Sequence, residues 1–157
     1  MSVIVFDGQG TIAADSLANG PTHSFPYPKV VRLEASIPSL TDQTLPQHTI
    51  LAGVVGPLQA STQLLNWLTQ GLAPSTFPYK WVAGTNAQLI TVTKEEGLKR
   101  YNGQPIPHLH GLNKFAIGEG APFAYGALYM GATAEQAVAA AIHYSPDCNG
   151  EVVSLSL

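Results

Sequence analysis

The chain has 157 residues, the size of one domain, with seven Lys and Arg against ten Asp and Glu, a net charge of −3 and only 11% charged residues. This balance excludes a basic nucleic-acid footprint and a polybasic membrane-surface segment. Hydrophobic residues make up 45%, enough to bury a core, yet no apolar run approaches the ~20 residues of a membrane span. The single cysteine, Cys148, excludes an intramolecular disulfide framework and points to a reducing compartment. The opening residues carry no signal-peptide pattern, so the expectation is a cytoplasmic protein. Low charge with 15 Gly and 12 Pro points to a compact, loop-rich chain that hides part of its surface in an oligomer.

In chain order, Ser2 to Phe6 holds an apolar run led by β-branched Val3, Ile4 and Val5, which predicts a strand buried on both faces. Asp7-Gly8-Gln9-Gly10 is turn chemistry and Thr11 to Ala14 resumes as a strand, so the chain opens with a hairpin. Pro21, Pro26 and Pro28 punctuate a loop before a short strand, Lys29 to Leu33, and Ala35 to His48 reads as a surface excursion. Ile50 to Val55 is another buried strand. Pro57 opens a helix whose stripe of Leu58, Leu64, Leu65 and Leu68 runs to about Gln70, before Pro74 and Pro78 break it. A strand is expected over Gln88 to Thr93, a solvated turn over Lys94 to Arg100, and another turn at Asn102-Gly103. Phe115 to Ile117 is a short strand leading into a helix from Pro122 to about Met130. Thr133 and Gln136 form a capping box for a second helix to about Tyr144, and Glu151 to Leu157 alternates as a last strand. The order implies an α+β layout, helices covering stacked sheets, in one domain over residues 1–157.

Four blocks then carry a resemblance. They are Thr11-Ile12-Ala13-Ala14-Asp15-Ser16, Lys29-Val30-Val31-Arg32-Leu33, Ala52-Gly53-Val54-Val55-Gly56, and Ala116-Ile117-Gly118-Glu119-Gly120-Ala121-Pro122-Phe123. In this order, over most of the chain, they resemble proteasome β-subunits and bacterial HslV-type peptidases. The resemblance implies the N-terminal-nucleophile hydrolase fold: a four-layer αββα sandwich of two antiparallel sheets. It also implies a homo-oligomer, usually a ring, a peptide or unfolded-protein substrate, an ATPase partner, and no cofactor or metal. A short, diverged member of this kind suits a phage or bacterial gene.

In that family the first residue of the mature chain is the nucleophile, and its own α-amine takes the proton. The chemistry needs a hydroxyl at the N-terminus, because an amide nitrogen has no basic lone pair, whereas an α-amine titrates near ~8. Removal of Met1 exposes Ser2. The hairpin is three residues shorter than the family's between nucleophile and acidic residue. If Ser2 is to lie opposite Ser16, paired residue numbers must sum to eighteen, which centres the turn on Gln9 as a Gly8-Gln9-Gly10 loop. A tighter Asp7-Gly8 turn displaces Ser2 by three residues and disables the site. Both turns suit the local sequence.

The resemblance implies that Asp15 and Lys29 are the acidic residue and lysine beside the nucleophile. There the cation favours the oxyanion and tunes the amine, while the carboxylate holds the ammonium. The same pair serves equally as a buried structural ion pair. Gly53 matches the glycine whose N–H serves the oxyanion hole, or else meets the demand of a strand-to-helix turn. Asp147 matches an aspartate that supports the nucleophile's surroundings. Two departures stand out. Glu119 replaces a serine that hydrogen-bonds the α-amine, and a carboxylate there raises the amine's pKa. After Asp147 the chain reads Cys148-Asn149-Gly150 in place of a nearby serine. Only Gly71 to Ala87 separates the first helix from the next strand, so the family's second helix, which makes ring contacts, is abbreviated.

Two readings follow: a peptidase or amide hydrolase using Ser2, and a catalytically silent relative that keeps the sandwich as a scaffold or binding protein. His108 and His110 are an i, i+2 pair able to face one side of an extended segment, but no Cys or carboxylate adjoins them to complete a metal site. Cys148 reads as a small packing residue. Phe123, Tyr125 and Tyr129 read as core and interface.

Overall fold

In the computed structural model, residues 2–19, 23–35 and 48–157 are described. The first strand, β1 (Val3–Phe6), is buried along its whole length, as its unbroken apolar run requires. Val3 and Val5 face one core with Ala13, Ala124, Val138 and Ala141, while Ile4 and Phe6 face another with Ile12, Leu51, Ile90 and Val92. Strand alternation thus places β1 at the centre of the layers. β2 (Thr11–Asp15) pairs with it antiparallel through Ile4–Ala14, Val5–Ala13 and Phe6–Ile12. Every pair sums to eighteen, so the Gly8-Gln9-Gly10 turn is the one adopted. Gly8 and Gly10 take φ of +79° and +105°, and the Asp7 carboxylate accepts the N–H groups of Gln9 (2.7 Å) and Thr11 (3.0 Å).

Beyond β2 the chain makes a small hairpin of β3 (Leu17–Asn19) and β4 (Ser24–Pro26), then β5 (Val30–Ala35). The proline-punctuated loop therefore contains an extra pair of strands, and Pro26 is tolerated because it ends an edge strand. The core of the expected surface excursion, residues 36–47, lies outside the described residues. β6 (His48–Val55) follows, then α1 (Leu58–Thr69) with Pro57 as its N-cap residue rather than inside the first turn. A 3-10 turn (Pro74–Thr76) and the one-turn α2 (Tyr79–Val82) replace a full second helix. This abbreviated stretch is held by packing: Phe77 and Tyr101 meet the Trp67 ring edge-on at 4.9 and 5.2 Å, and the Trp67 indole N–H donates to the Ala73 carbonyl.

Next come β7 (Gln88–Thr93), β8 (Gly97–Asn102), β9 (His108–Gly111) and β10 (Phe115–Gly118). Expecting 94–100 as one solvated turn was a misreading. Only 94–96 turns, while Leu98 and Tyr101 are buried and Lys99 reaches back to Glu96 in an ion pair. α3 (Ala121–Tyr129), α4 (Ala134–Tyr144, with both hydrogen bonds of the Thr133–Gln136 capping box) and β11 (Val152–Ser156) complete the chain.

Among the described residues two large antiparallel sheets result, of order β10-β1-β2-β11 and β5-β6-β7-β8-β9, beside the two-stranded β3–β4 pair. α3 and α4 cover the first, α1 covers the second, and the Ile4–Ile12–Val92 core lies between the sheets. This is the four-layer αββα sandwich. Among the described residues no helix is long and apolar enough to cross a membrane.

Gly118 seats the start of β1 against β10. It pairs with Val3 at φ +97°, and a Cβ there would lie 2.2 Å from the Ser2 carbonyl oxygen. Gly118→Ala is expected to lose at least about 2 kcal/mol, since it combines a left-handed backbone with a backbone clash. A thermal melt should show a fall of roughly 4–8 °C.

Candidate active site

The buried charge beside β1 organises the site. Asp15, 1% exposed, ends β2 with its carboxylate turned toward the start of β1. One oxygen accepts the Val3 N–H at 2.9 Å; the other accepts the Lys29 ammonium at 2.7 Å and the Asn149 N–H at 3.2 Å. Lys29, just before β5, also donates to the Leu17 carbonyl at 2.6 Å. A carboxylate with this many donors and a buried counter-ion meets the condition under which a buried pair is tolerated.

Ser2 is 3% exposed and is held at both backbone ends. Its nitrogen donates to Glu119 Oε2 at 3.0 Å, and its carbonyl accepts the Gly120 N–H at 3.3 Å. Ser2, Lys29 and Glu119 together line a cavity of about 420 Å³. Its lining includes Ala18 and Phe25 of the β3–β4 hairpin, Tyr27 just beyond it, and Val54 to Leu58 and Ser61, where β6 gives way to α1. Four of the expected residues, Ser2, Asp15, Lys29 and Glu119, are therefore linked within one site.

Gly53 and Asp147 are placed elsewhere. Val54 donates its N–H to the Lys29 carbonyl, so strand alternation turns the Gly53 N–H toward β7, where Gly53 pairs with Ile90. Gly53 is needed for space, because a Cβ there would sit 2.9 Å from the Ile4 side chain. The glycine at the strand-to-helix turn is Gly56, which lines the cavity at φ +114°. Asp147 does not line the cavity; its N–H donates to the Ser145 hydroxyl at 3.3 Å. The support expected from it comes from the backbone of Asn149, two residues on.

Sequence reasoning also missed Ser61 and the hairpin wall. Ser61 left a trace, a hydroxyl three residues from both Leu58 and Leu64 on the apolar stripe. The hairpin left none, since Leu17–Asn19 and Ser24–Pro26 are too short for a periodicity. Cys148 is fully buried against Gly120, and burial raises its thiol to about 11, so it is a packing residue. On β9, the His110 ring packs on Phe115 at 4.2 Å, and its pKa is lowered by burial and then by Arg100.

Removing one member of the Asp15–Lys29 pair leaves the other charged and buried. Lys29→Met is expected to cost about 3–5 kcal/mol, and Lys29→Met with Asp15→Asn distinctly less. Urea titration of the two variants checks this; a single-variant loss below about 1 kcal/mol would mean that the pair does not brace the site.

No family model matches the chain, and no curated protein matches it in sequence. Solved structures do match. The chain aligns over its full length, and over all of the other chain, with a eukaryotic HslV from Trypanosoma brucei at TM-score 0.59 and 17% identity. It aligns over its full length with 82% of an Anbu (Gly-1) mutant from Hyphomicrobium sp. strain MC1, at TM-score 0.69 and 13% identity. An Anbu (ancestral beta-subunit) from Yersinia bercovieri matches at 0.67 and 14% identity, over 81% of that chain. The chain is thus built on the proteasome-type N-terminal-nucleophile hydrolase fold seen in HslV and Anbu.

Proposed function

We propose that this chain is a cytoplasmic N-terminal-nucleophile peptidase or amide hydrolase, with Ser2 as nucleophile after removal of Met1. The observation that carries the reading is the placement of Ser2 and the buried Lys29 on one cavity, with the Ser2 nitrogen already held by Glu119. Once Met1 is gone, that nitrogen is an α-amine. The Ser2 hydroxyl attacks the substrate carbonyl carbon as its proton passes to the amine. The tetrahedral oxyanion collapses to an ester on Ser2, and the α-ammonium gives its proton to the departing amine. Water then attacks the ester, losing a proton to the α-amine, and the second tetrahedral intermediate expels the acid product as the α-ammonium returns that proton to Ser2 Oγ. Lys29 supplies positive charge beside the developing oxyanion, and Asp15 fixes Lys29. Gly56, at the cavity wall, takes the backbone role that the sequence pattern offered to Gly53.

Glu119 sets the working pH. A carboxylate on the α-ammonium favours the charged, non-basic form, so activity rises toward alkaline pH. Glu119→Gln is expected to move the ascending limb of the kcat/KM profile to lower pH. An unchanged limb removes Glu119 from that role.

The test of the activity is a fluorogenic peptide panel with the chain shown by intact mass to begin at Ser2. Ser2→Ala, likewise freed of Met1, should abolish hydrolysis and leave the melting temperature nearly unchanged. Hydrolysis that survives Ser2→Ala overturns the mechanism. The second reading, a silent scaffold, is favoured by the hydrogen bonds of Lys29 to Asp15 and Leu17, which brace the hairpin without any chemistry. It predicts a chain that keeps Met1 or shows no hydrolysis. Lys29 variants do not separate the readings, because the buried pair costs stability in both.

Either reading includes a homo-oligomer. On α3 and α4, Phe123 stacks on Tyr144 at 6.2 Å, and Tyr129 and Met130 are 89% and 82% exposed, an apolar face suited to a second copy. Sedimentation at tens of micromolar should show an assembly; a monomer contradicts it.

A further inference from the structure

The segment between α4 and β11 contains a pair of residues that the proposed chemistry does not use, Asn149-Gly150. The fold dictates the glycine. Its φ is +92°, and a Cβ there would lie 2.5 Å from Ser16 Oγ and 2.7 Å from Leu17 Cγ. The asparagine side chain is not dictated in the same way. Asn149 is exposed, and its amide nitrogen makes one long contact, to the Pro146 carbonyl at 3.4 Å. Its main chain, by contrast, is anchored on both sides. The N–H donates at 3.2 Å to Asp15 Oδ2, the oxygen that also accepts Lys29, and the carbonyl accepts the Leu17 N–H at 3.2 Å. Among the described residues the Gly150 N–H has no hydrogen-bond acceptor, so no partner restrains that nitrogen.

We infer that Asn149 is a site of spontaneous deamidation, and that its conversion releases the Asp15 anchor of β1. The Gly150 nitrogen attacks Asn149 Cγ and forms a C–N bond, while its proton goes to hydroxide from solvent. The tetrahedral intermediate expels the side-chain nitrogen as ammonia, which takes its third proton from water, and a five-membered succinimide remains. Water then adds to either ring carbonyl and breaks the ring C–N bond there. Opening at Cγ gives aspartate; opening at the former main-chain carbonyl gives isoaspartate. Water is the only co-reactant. Glycine hinders the attack least, because no Cβ crowds its nitrogen and its backbone turns most freely.

Both products disturb what Asn149 holds. Each adds a carboxylate to the residue whose N–H rests on the Asp15 carboxylate, and like charges so close repel. Isoaspartate does more. The chain then reaches Gly150 through Cβ and Cγ, and the carbonyl that accepted the Leu17 N–H becomes a free carboxylate on a branch. The path into β11, which starts with Val152 opposite Asp15, lengthens by one bond. A buried carboxylate that loses a donor in this way is destabilised, and its hold on the Val3 N–H and Lys29 weakens with it.

The inference stands whether or not Ser2 is a nucleophile, so its test reads structure first. The protein is aged in warm, mildly alkaline bicarbonate. Peptide mapping by mass spectrometry, with labelling by an isoaspartate methyltransferase, then locates each converted asparagine. Asn102-Gly103 is the internal control, because Asn102 lies in the other sheet, paired with Gln88. Asn149 should convert, and hydrogen exchange at the Val3 amide should then accelerate about tenfold, as weakening a hydrogen bond to a charged group implies. Asn149→Gln and Asn149→Ser, neither of which can close the five-membered ring, should suppress the acceleration. Asn149→Asp, without ageing, should reproduce part of it. No conversion at Asn149, conversion there without faster Val3 exchange, or acceleration that persists in Asn149→Gln and Asn149→Ser overturns the inference. Under the hydrolase reading, acylation of Ser2 should fall in step with conversion. Conversion with faster Val3 exchange, in a chain whose fresh Ser2-initiated form hydrolyses nothing, overturns the hydrolase reading alone.

Discussion

A single buried carboxylate ties the parts of this molecule together. Asp15 binds the Val3 N–H of β1, the Lys29 ammonium before β5 and the Asn149 N–H before β11. Those groups come from three chain segments remote from one another in sequence. A charge so deeply buried is tolerated only when every partner is in place. It therefore fixes the start of β1 relative to both sheets, and with it the position of Ser2. The hairpin wall of the cavity depends on the same contact, because Lys29 also holds the Leu17 carbonyl at the start of β3.

The register of the first hairpin shows how packing resolves an ambiguity that local sequence leaves open. Both the Asp7-Gly8 turn and the Gly8-Gln9-Gly10 turn suit the residues present. The two differ by an odd number of residues in pairing, so they turn opposite faces of β2 inward. Ile12 is the large apolar residue of β2, and the inter-sheet core of Ile4, Phe6 and Ile90 requires it. The adopted turn puts Ile12 there and Asp15 on the other face; the alternative would have moved Asp15 off that face. Side-chain hydrogen bonds from Asp7 then complete the wider turn.

Much of the fold was legible because it rests on periodicities longer than a turn. The doubly buried β1, the β6 strand, the α1 stripe and the Thr133–Gln136 box all announced themselves. Segments that depend on distant partners did not. Lys99 looks solvated in sequence and is buried because Glu96 folds back to pair with it. The β3–β4 hairpin exists because Tyr27 and Leu17 donate to the Ser16 and Asn149 carbonyls, contacts invisible to local patterning. Ser2, Asp15, Lys29 and Glu119, which the structure brings together, could be picked out because each sits at a motif position. Gly53 was assigned an oxyanion role from its motif alone. Strand pairing with β7 and the approach of Ile4 show why backbone direction, which a motif does not encode, decides such a role.

The central claim is that the Ser2 hydroxyl acts only when its own nitrogen is free. It is tested most directly by intact mass after brief exposure to an activated peptide ester. The account predicts one acyl group, localised to Ser2, on protein that begins at Ser2, and none on protein that retains Met1. Equal acylation of both forms, or none on a chain that begins at Ser2, would contradict it.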